Sequence, residues 1–372
     1  MSMLRVGSIV LATSMLLGGC SWLSGKKESE EAVTAQLNVV WATDVDQRRP
    51  MSPPGASRPA TTSNRIVIGG HDSRVHVYDM QGNELRRLAL DAPCESGALA
   101  LASGVVVLGD VHGELYGIDP KQGRIVWRQQ LSSVLLGHPV ALSDGDFLLQ
   151  TADNRIYRFS PKGEKRWSYA GHTSGLEMHK TPSPIVADGM AYVVFSNGDV
   201  AALKLDGGAL VWRRELILAT NAVVLSELKV PVAAPVLIGR TLIVSIYQGS
   251  LIALSADDGQ QLWSRNLSLR SRPVIRGGRL YVATAAGDVL SLDAKSGNTF
   301  WRQKVSDAEL VGPLMVGKRW MVGDAKGNVF TLNMDGRKLA SVNLPGRIDY
   351  APVAVADGGL VRTSRGGLYL VR

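Results

Sequence analysis

The feature that most constrains this chain is a short motif, Gly-x-x-x-Trp, which recurs about every 40 residues. Five glycines are each followed four residues later by tryptophan, and these tryptophans are Trp127, Trp167, Trp212, Trp263 and Trp301. Two further repeats keep the glycine but place Arg86 and Ala340 where tryptophan is expected. A period of this length indicates one supersecondary unit that is stacked many times along the chain.

Each repeat has the pattern of four short strands. Between Pro273 and Trp301, apolar runs at 280–282 and 289–292 flank a Gly287-Asp288 turn, and the tryptophan segment closes the unit. Glycine supplies the positive φ that tight turns between antiparallel strands need. Four antiparallel strands per repeat, with no helical period between them, predict a β-propeller blade.

The two ends of the chain predict how the ring closes. The last repeat ends at Arg372 without its tryptophan strand, whereas Trp41 lies in a tryptophan strand with no repeat before it. Joining residues 37–45 to 350–372 completes one more blade and leaves no open sheet edge. We therefore predict an all-β fold, an eight-bladed propeller of four-stranded antiparallel blades spanning residues 37–372. We expect each motif tryptophan to fill the wedge between blades, burying about 200 Å², and not to act as a platform for a ligand.

The first residues predict export. Arg5 precedes an apolar stretch from 6 to 17, and Leu-Gly-Gly-Cys follows, ending at Cys20. This pattern predicts a signal peptide over 1–19. Its end resembles a bacterial lipobox, which predicts lipidation of Cys20 and a flexible tether over 20–36; an ordinary cleaved signal is the alternative. The second cysteine, Cys94, is expected to be a buried small hydrophobe.

Composition and motifs argue against catalysis and against nucleic-acid binding. The chain carries a net charge of +8, but its basic residues are scattered among the repeats and are not clustered with aromatics. It contains no Gly-x-Ser-x-Gly, phosphate-binding glycine loop, Cys-x-x-Cys or His-Glu-x-x-His motif. We predict no catalytic residue, no metal site and no cofactor. The positive charge favours acidic partners or anionic headgroups.

The places where the repeat lengthens are the candidate binding sites. From one tryptophan to the start of the next repeat there are 10 or 12 residues in three cases, but 17, 18 and 23 in three others. Long loops on a rigid scaffold commonly carry binding residues. Two long connections, 168–183 and 213–234, leave neighbouring blades on one face. The predicted partner-binding residues in them are Leu176, Met178, His179, Lys180, Leu225, Leu228, Lys229 and Val230. Alternatively, the second connection folds back onto the propeller, with a short helix over 222–229.

The lipobox, the short tether and the eight tryptophan blades together resemble the BamB family, the quinoprotein-like propeller lipoproteins of the outer-membrane β-barrel assembly machine. The resemblance covers the whole chain. It implies a non-enzymatic scaffold, lipid-anchored to the outer membrane and facing the periplasm. Such a scaffold would bind the POTRA domains of the barrel-forming subunit BamA and other subunits of the complex, and would aid the insertion of β-barrel proteins.

The resemblance also has departures and competitors. The Leu-x-Leu-Arg contact segment of the family falls where this chain has Leu176, Met178 and His179, so the arginine is missing. Acidic residues that the family uses in the next connection are replaced by Val-Pro-Val at 230–232. One alternative is a quinone-cofactor-dependent periplasmic dehydrogenase on the same fold, although this chain lacks the adjacent cysteines and added loops often seen there. Another is a propeller that binds a different envelope protein or a glycan. Nascent outer-membrane proteins are a further possible partner, held by strand addition to the outer blade strands.

Overall fold

A computed structural model describes residues 36–46, 57–172, 181–216, 230–231, 233–247, 249–356 and 358–372. All named elements within these residues are β-strands. In chain order they are β1 (Val39–Asp44), β2 (Ala60–Thr61), β3 (Ile66–Gly69), β4 (Arg74–Tyr78), β5 (Glu84–Ala89), β6 (Leu99–Ala100), β7 (Val106–Gly109), β8 (Glu114–Asp119), β9 (Arg124–Gln130), β10 (Val140–Ala141), β11 (Phe147–Gln150), β12 (Arg155–Phe159), β13 (Lys165–Ala170), β14 (Ile185–Ala187), β15 (Met190–Val194), β16 (Asp199–Lys204), β17 (Leu210–Glu215), β18 (Val230–Pro231), β19 (Val236–Ile238), β20 (Thr241–Tyr247), β21 (Leu251–Ser255), β22 (Gln261–Arg265), β23 (Val274–Arg276), β24 (Arg279–Ala283), β25 (Asp288–Asp293), β26 (Thr299–Lys304), β27 (Leu310–Val316), β28 (Arg319–Asp324), β29 (Asn328–Leu332), β30 (Lys338–Asn343), β31 (Val353–Val355), β32 (Gly358–Arg362) and β33 (Gly367–Val371).

The strands of the described chain form eight antiparallel sheets, which are the eight blades of a propeller. Blades 1 to 4 are β2–β5, β6–β9, β10–β13 and β14–β17, and blades 6 and 7 are β23–β26 and β27–β30. Blade 5 consists of β18–β22, because β18 and β19 both pair with β20. Blade 8 is described below. The predicted fold class and blade number are confirmed.

The eighth blade closes the ring with strands from both chain ends. Its order is β1-β33-β32-β31, and β1 pairs with β33 so that Trp41 lies opposite Leu370. Beyond this ladder, the guanidinium of Arg362 donates to Asp46 at 2.5 Å, and both side chains are almost fully buried. The predicted closure by the N-terminal strand is confirmed. The predicted signal peptide, Cys20 and nearly all of the tether lie outside the described residues.

The motif explains why glycine and tryptophan recur together. The indole of Trp127 lies against Gly163 of the next blade, so close that a Cβ there would stand 2.7 Å from two ring atoms. The φ of Gly163 is +82°, a region that L side chains avoid. The indole nitrogen donates to the carbonyl of Pro161 at 3.0 Å. The same blade-to-blade contact joins Trp41 to Gly82, Trp167 to Gly208, Trp212 to Gly259, Trp263 to Gly297 and Trp301 to Gly336.

The hydrophobic core is divided into layers between successive blades. One cluster joins Val67 and Val77 of blade 1 to Leu108 and Tyr116 of blade 2, and comparable clusters occupy the other wedges of the described ring. Cys94 is fully buried in the first layer, and this burial raises the pKa of its thiol. The buried environment predicted for Cys94 is confirmed. No helix long and apolar enough to span a membrane occurs among the described residues.

Candidate functional site

One end of the propeller carries the segments that lead from the outer strand of one blade to the inner strand of the next. We call this end the connection face. In most blades the connection lies on the turn between the two middle strands: Leu131 donates its backbone N–H to the carbonyl of Gly113 at 2.9 Å, and Leu344 donates to Gly327 at 2.8 Å. The regular connections are thus fixed to the blades by backbone hydrogen bonds. The sequence predicts partner binding on this face.

The first long connection is shorter than predicted. Residues 168–170 belong to β13, so the prediction that the connection begins at 168 is wrong, because the strand ladder continues past Trp167. On its described flanks, the carbonyl of His172 accepts from the Asn154 amide at 2.8 Å. The predicted contact residues Leu176, Met178, His179 and Lys180 lie outside the described residues.

The second long connection is also shorter than predicted at both ends. β17 continues to Glu215, and β18 adds residues 230–231 to the ladder of blade 5, where Val230 lies opposite Tyr247. The predicted bounds of this connection, 213–234, are therefore wrong, because residues 213–215 and 230–231 pair within strand ladders. Leu225, Leu228, Lys229 and the alternative helix over 222–229 lie outside the described residues. Only the backbone of Val230 is described.

A polar network anchors the strand that receives β18. The Tyr247 hydroxyl donates to Glu309 at 2.6 Å, and Arg270 donates to the other oxygen of Glu309 at 2.6 Å. Arg270 and Arg347 also lie 3.7 and 3.4 Å from Asp349. Burial alone would raise the pKa of Glu309, but the Tyr247 hydrogen bond and the Arg270 charge hold it below its usual value. Together these contacts connect blade 5 to the connections that enter blades 6, 7 and 8.

The outer strands carry a belt of exposed apolar side chains that the motif analysis missed. The residue just before the motif tryptophan points away from the wedge and is exposed in most blades. In blade 4 two neighbours, Leu210 and Val211, are 48% and 46% exposed. This belt could have been predicted from the sequence. Successive side chains of a strand point to opposite faces, so the residue before a tryptophan that faces the wedge must face outward. The other members of the belt are Val39, Val40, Leu85, Val126, Leu262, Phe300 and Leu339.

The inner strands surround an axial channel, which also escaped prediction. The channel contains two cavities, about 590 and 440 Å³ in volume. Polar and charged residues that line both of them are Arg58, His138, Ser183 and Arg272. The larger cavity is lined by residues from all eight blades. No group of three or more His, Cys, Asp and Glu side chains is placed to hold a metal ion in the described part of the chain.

Comparisons with known proteins agree with this architecture. A family model described as "Outer membrane protein assembly factor BamB" matches residues 71–255 and 248–371. A protein of that name from Yersinia pestis is 28% identical over 279 residues, covering 74% of this chain and 70% of the relative. The namesake from Bordetella pertussis is 26% identical over 379 residues, covering 98% and 96%.

Solved structures show the same fold. The crystal structure of BamB from Moraxella catarrhalis superposes with a TM-score of 0.78 at 20% identity, covering 90% of this chain and 99% of that one. A quinohemoprotein alcohol dehydrogenase from Comamonas testosteroni superposes with a TM-score of 0.70 at 14% identity, covering 92% and 77%. At these identities the likenesses concern the propeller alone.

Proposed function

The chain belongs to the family of the outer membrane protein assembly factor BamB, and from this premise we propose that it is a non-enzymatic scaffold of the outer-membrane β-barrel assembly complex. Its role is that of an assembly factor for outer membrane proteins. The observation that carries the proposal is that the family model matches residues 71–255 and 248–371, from the turn after β3 in blade 1 to β33 in blade 8. Fold alone would not suffice, because the same propeller also serves a dehydrogenase.

The partner we propose is the POTRA region of the barrel-forming subunit BamA, bound on the connection face at blades 4 and 5. The contacts would come from Leu176, Met178, His179 and Lys180 in the first connection and from Leu225, Leu228, Lys229 and Val230 in the second. One feature of the described residues supports this position. β18 pairs with the strand that carries Tyr247, so the network around Tyr247 and Glu309 gives the second connection a rigid end.

We further propose that a lipid on Cys20 holds the protein at the outer membrane, with signal peptide 1–19, tether 20–36 and propeller 37–372. The lipobox supports this assignment. Labelled palmitate is expected to enter the wild type and not Cys20→Ala, and the variant is expected to move from the membrane fraction to the soluble fraction. Equal labelling of both proteins would contradict the assignment.

The interface is tested with a charge placed in an apolar contact. Leu176→Asp combined with Met178→Asp is expected to reduce capture of the POTRA-bearing subunit from solubilised envelopes at least tenfold, because a desolvated carboxylate is costly at an interface. The matched control is Leu339→Asp, which places a carboxylate on the exposed outer strand of blade 7. Thermal unfolding verifies that both variants are folded.

Two results would count against the proposal in different ways. Undiminished capture by a folded double variant would remove the first connection from the interface. Failure of the wild type to recover any POTRA-bearing barrel protein would remove the scaffold role itself. Saturable uptake of pyrroloquinoline quinone in the presence of Ca²⁺ would instead favour the dehydrogenase alternative.

A further inference from the structure

Polar side chains from four blades line both cavities of the axial channel. Arg58, His138, Ser183 and Arg272 each immediately precede the proline that starts a blade, and each lines both cavities of the channel. We call these four residues the channel waist. The corresponding positions in four other blades hold small residues, namely Ala98, Ala234, Gly312 and Ala351. The waist is therefore a departure from the repeat and not a consequence of it.

Hydrogen bonds fix His138 as a neutral ring. Arg58 Nη1 lies 3.1 Å from His138 Nε2, and because arginine can only donate, Nε2 must accept. Ser183 Oγ donates to the His138 carbonyl at 2.8 Å and lies 3.0 Å from Nδ1, which therefore carries the proton. Burial, followed by the charges of Arg58 and Arg272, lowers the pKa of His138 to about 3. The ring thus positions Arg58 without adding charge.

The charges of the lining do not balance. Its charged residues are Arg58, Arg270, Arg272 and Asp349, and Asp349 lies within 3.7 Å of Arg270. Among the described residues, no carboxylate lies within ion-pair distance of Arg58 or Arg272, so two positive charges remain. The nearly buried Arg362, by contrast, is paired with Asp46. A charge that loses part of its solvent and gains no charged partner is costly, and this applies to the half-buried Arg58.

Arg58 is half-buried and Arg272 is exposed, and both line the same cavity. Burial and then the charge of Arg272 lower the pKa of Arg58, and burial lowers the pKa of Arg272. Arg272 lines both cavities and keeps an exposed side chain. A volume of about 590 Å³ is within the range of sites for small ligands. A small solute can therefore reach the two unpaired charges.

We propose that the channel waist binds a small dianion, either a phosphate or a short dicarboxylate, with Arg58 and Arg272 as its charge partners. Guanidinium groups bind both kinds of anion through paired N–H donors, and two of them match two negative charges. Ser183 and His138 act as positioning residues that hold Arg58. This binding site is separate from the proposed POTRA interface and does not depend on it.

The experiment measures binding to the full chain by calorimetry at constant ionic strength. The probes are inorganic phosphate and succinate, with acetate as the singly charged reference. We expect saturable binding of at least one dianion, and at least a tenfold loss of affinity in Arg58→Gln and in Arg272→Gln. The matched control is Arg276→Gln, which removes the same charge from the same blade but not from the cavity lining.

Stability provides a second readout. Saturating dianion is expected to raise the midpoint of thermal unfolding of the wild type and of Arg276→Gln, but not of Arg272→Gln. If a glutamine variant does not fold, Arg272→Lys replaces it; this variant keeps the charge but loses the paired donors, and it is expected to bind more weakly than wild type. Absence of saturable binding to both dianions would overturn the proposal. Equal losses in Arg276→Gln and Arg272→Gln would also overturn it, because they would indicate unspecific attraction.

Discussion

Replacing Gly163 by alanine is expected to destabilise the propeller by much more than the same change at Gly104. Both glycines have positive φ, +82° and +87°, so an alanine costs similar backbone strain at each site. They differ in their surroundings. A Cβ at Gly163 would lie 2.7 Å from the indole of Trp127, whereas a Cβ at Gly104 would meet nothing within 4 Å. Gly104 is therefore the control for backbone strain alone.

The expected difference follows from three contributions. A residue with a Cβ in the left-handed region costs about 1–2 kcal/mol, which is the full effect expected for Gly104→Ala. At Gly163 the indole must also move, and overpacking of this kind costs about 1–3 kcal/mol. Loss of the Trp127 hydrogen bond to Pro161 adds about 1 kcal/mol. Gly163→Ala should thus cost about 3–6 kcal/mol in total.

Urea unfolding, followed by circular dichroism, gives the free energies of both variants. A second comparison isolates the contact: in a Trp127→Ala background, Gly163→Ala should cost only the backbone term, about 1–2 kcal/mol. Equal destabilisation by Gly163→Ala and Gly104→Ala in the wild-type background would refute the reasoning. It would mean that the motif glycine is required for its backbone angle and not for the approach of the tryptophan.

Three further predictions concern buried polar groups. Asp46→Asn should lower the free energy of unfolding by about 3–5 kcal/mol, because it leaves the buried guanidinium of Arg362 at the ring closure without a charged partner. The control Asp257→Asn, which removes an exposed ion pair with Arg240, should cost under about 1 kcal/mol. Equal losses of the two variants in urea titrations would contradict this prediction. The pKa of His138 is about 3 in the folded protein, so below about pH 6.5 this imidazole becomes protonated in the unfolded chain but not in the folded one. The free energy of unfolding therefore decreases as the pH falls. At pH 5 the loss is about 1–2 kcal/mol; His138→Gln should abolish it, whereas the exposed control His112→Gln should not. Cys94 should resist thiol reagents until the protein unfolds, because burial raises its pKa; modification of the native protein at the rate of the unfolded chain would contradict this.

The fold was predictable because one contact repeats. The spacing that carries Trp127 onto Gly163 also carries Trp41 onto Gly82, so the lone N-terminal tryptophan strand identified its own place in the ring. The ends of the long connections were not predictable in this way. The pairing of β18 with β20 depends on two residues, too few to give a periodic signal, and it was established only by the register opposite Tyr247.

The channel waist left a signal that the tryptophan repeat obscured. The spacing from each tryptophan to the next proline depends only on the length of the connection. It carries no information about which residue precedes each proline. Reading that position across the repeats would have set Arg58, His138, Ser183 and Arg272 apart from the small residues of the other blades. The absence of an ion-pair partner for the two arginines among the described residues could not have been predicted from the sequence. It depends on the fold, in which Asp349, the acidic residue of the larger cavity's lining, lies beside Arg270 and Arg347.

In a closed ring of similar blades, a specific binding site requires residues that differ between blades. In this propeller the blades differ at two adjoining places, which are the long connections and the channel waist. The long connections vary the rim, and the residues that end them enter the channel: Ser183 closes the first connection and belongs to the waist, and Ala234 closes the second and lines both cavities. A partner bound to these connections and an anion bound at the waist would therefore contact opposite ends of the same short segments. Any coupling between them must be reciprocal. The coupling free energy can be obtained by measuring POTRA capture with and without a dianion, in the wild type and in Arg272→Gln. If the dianion changes capture by the variant as well, the effect arises from anion binding outside the channel.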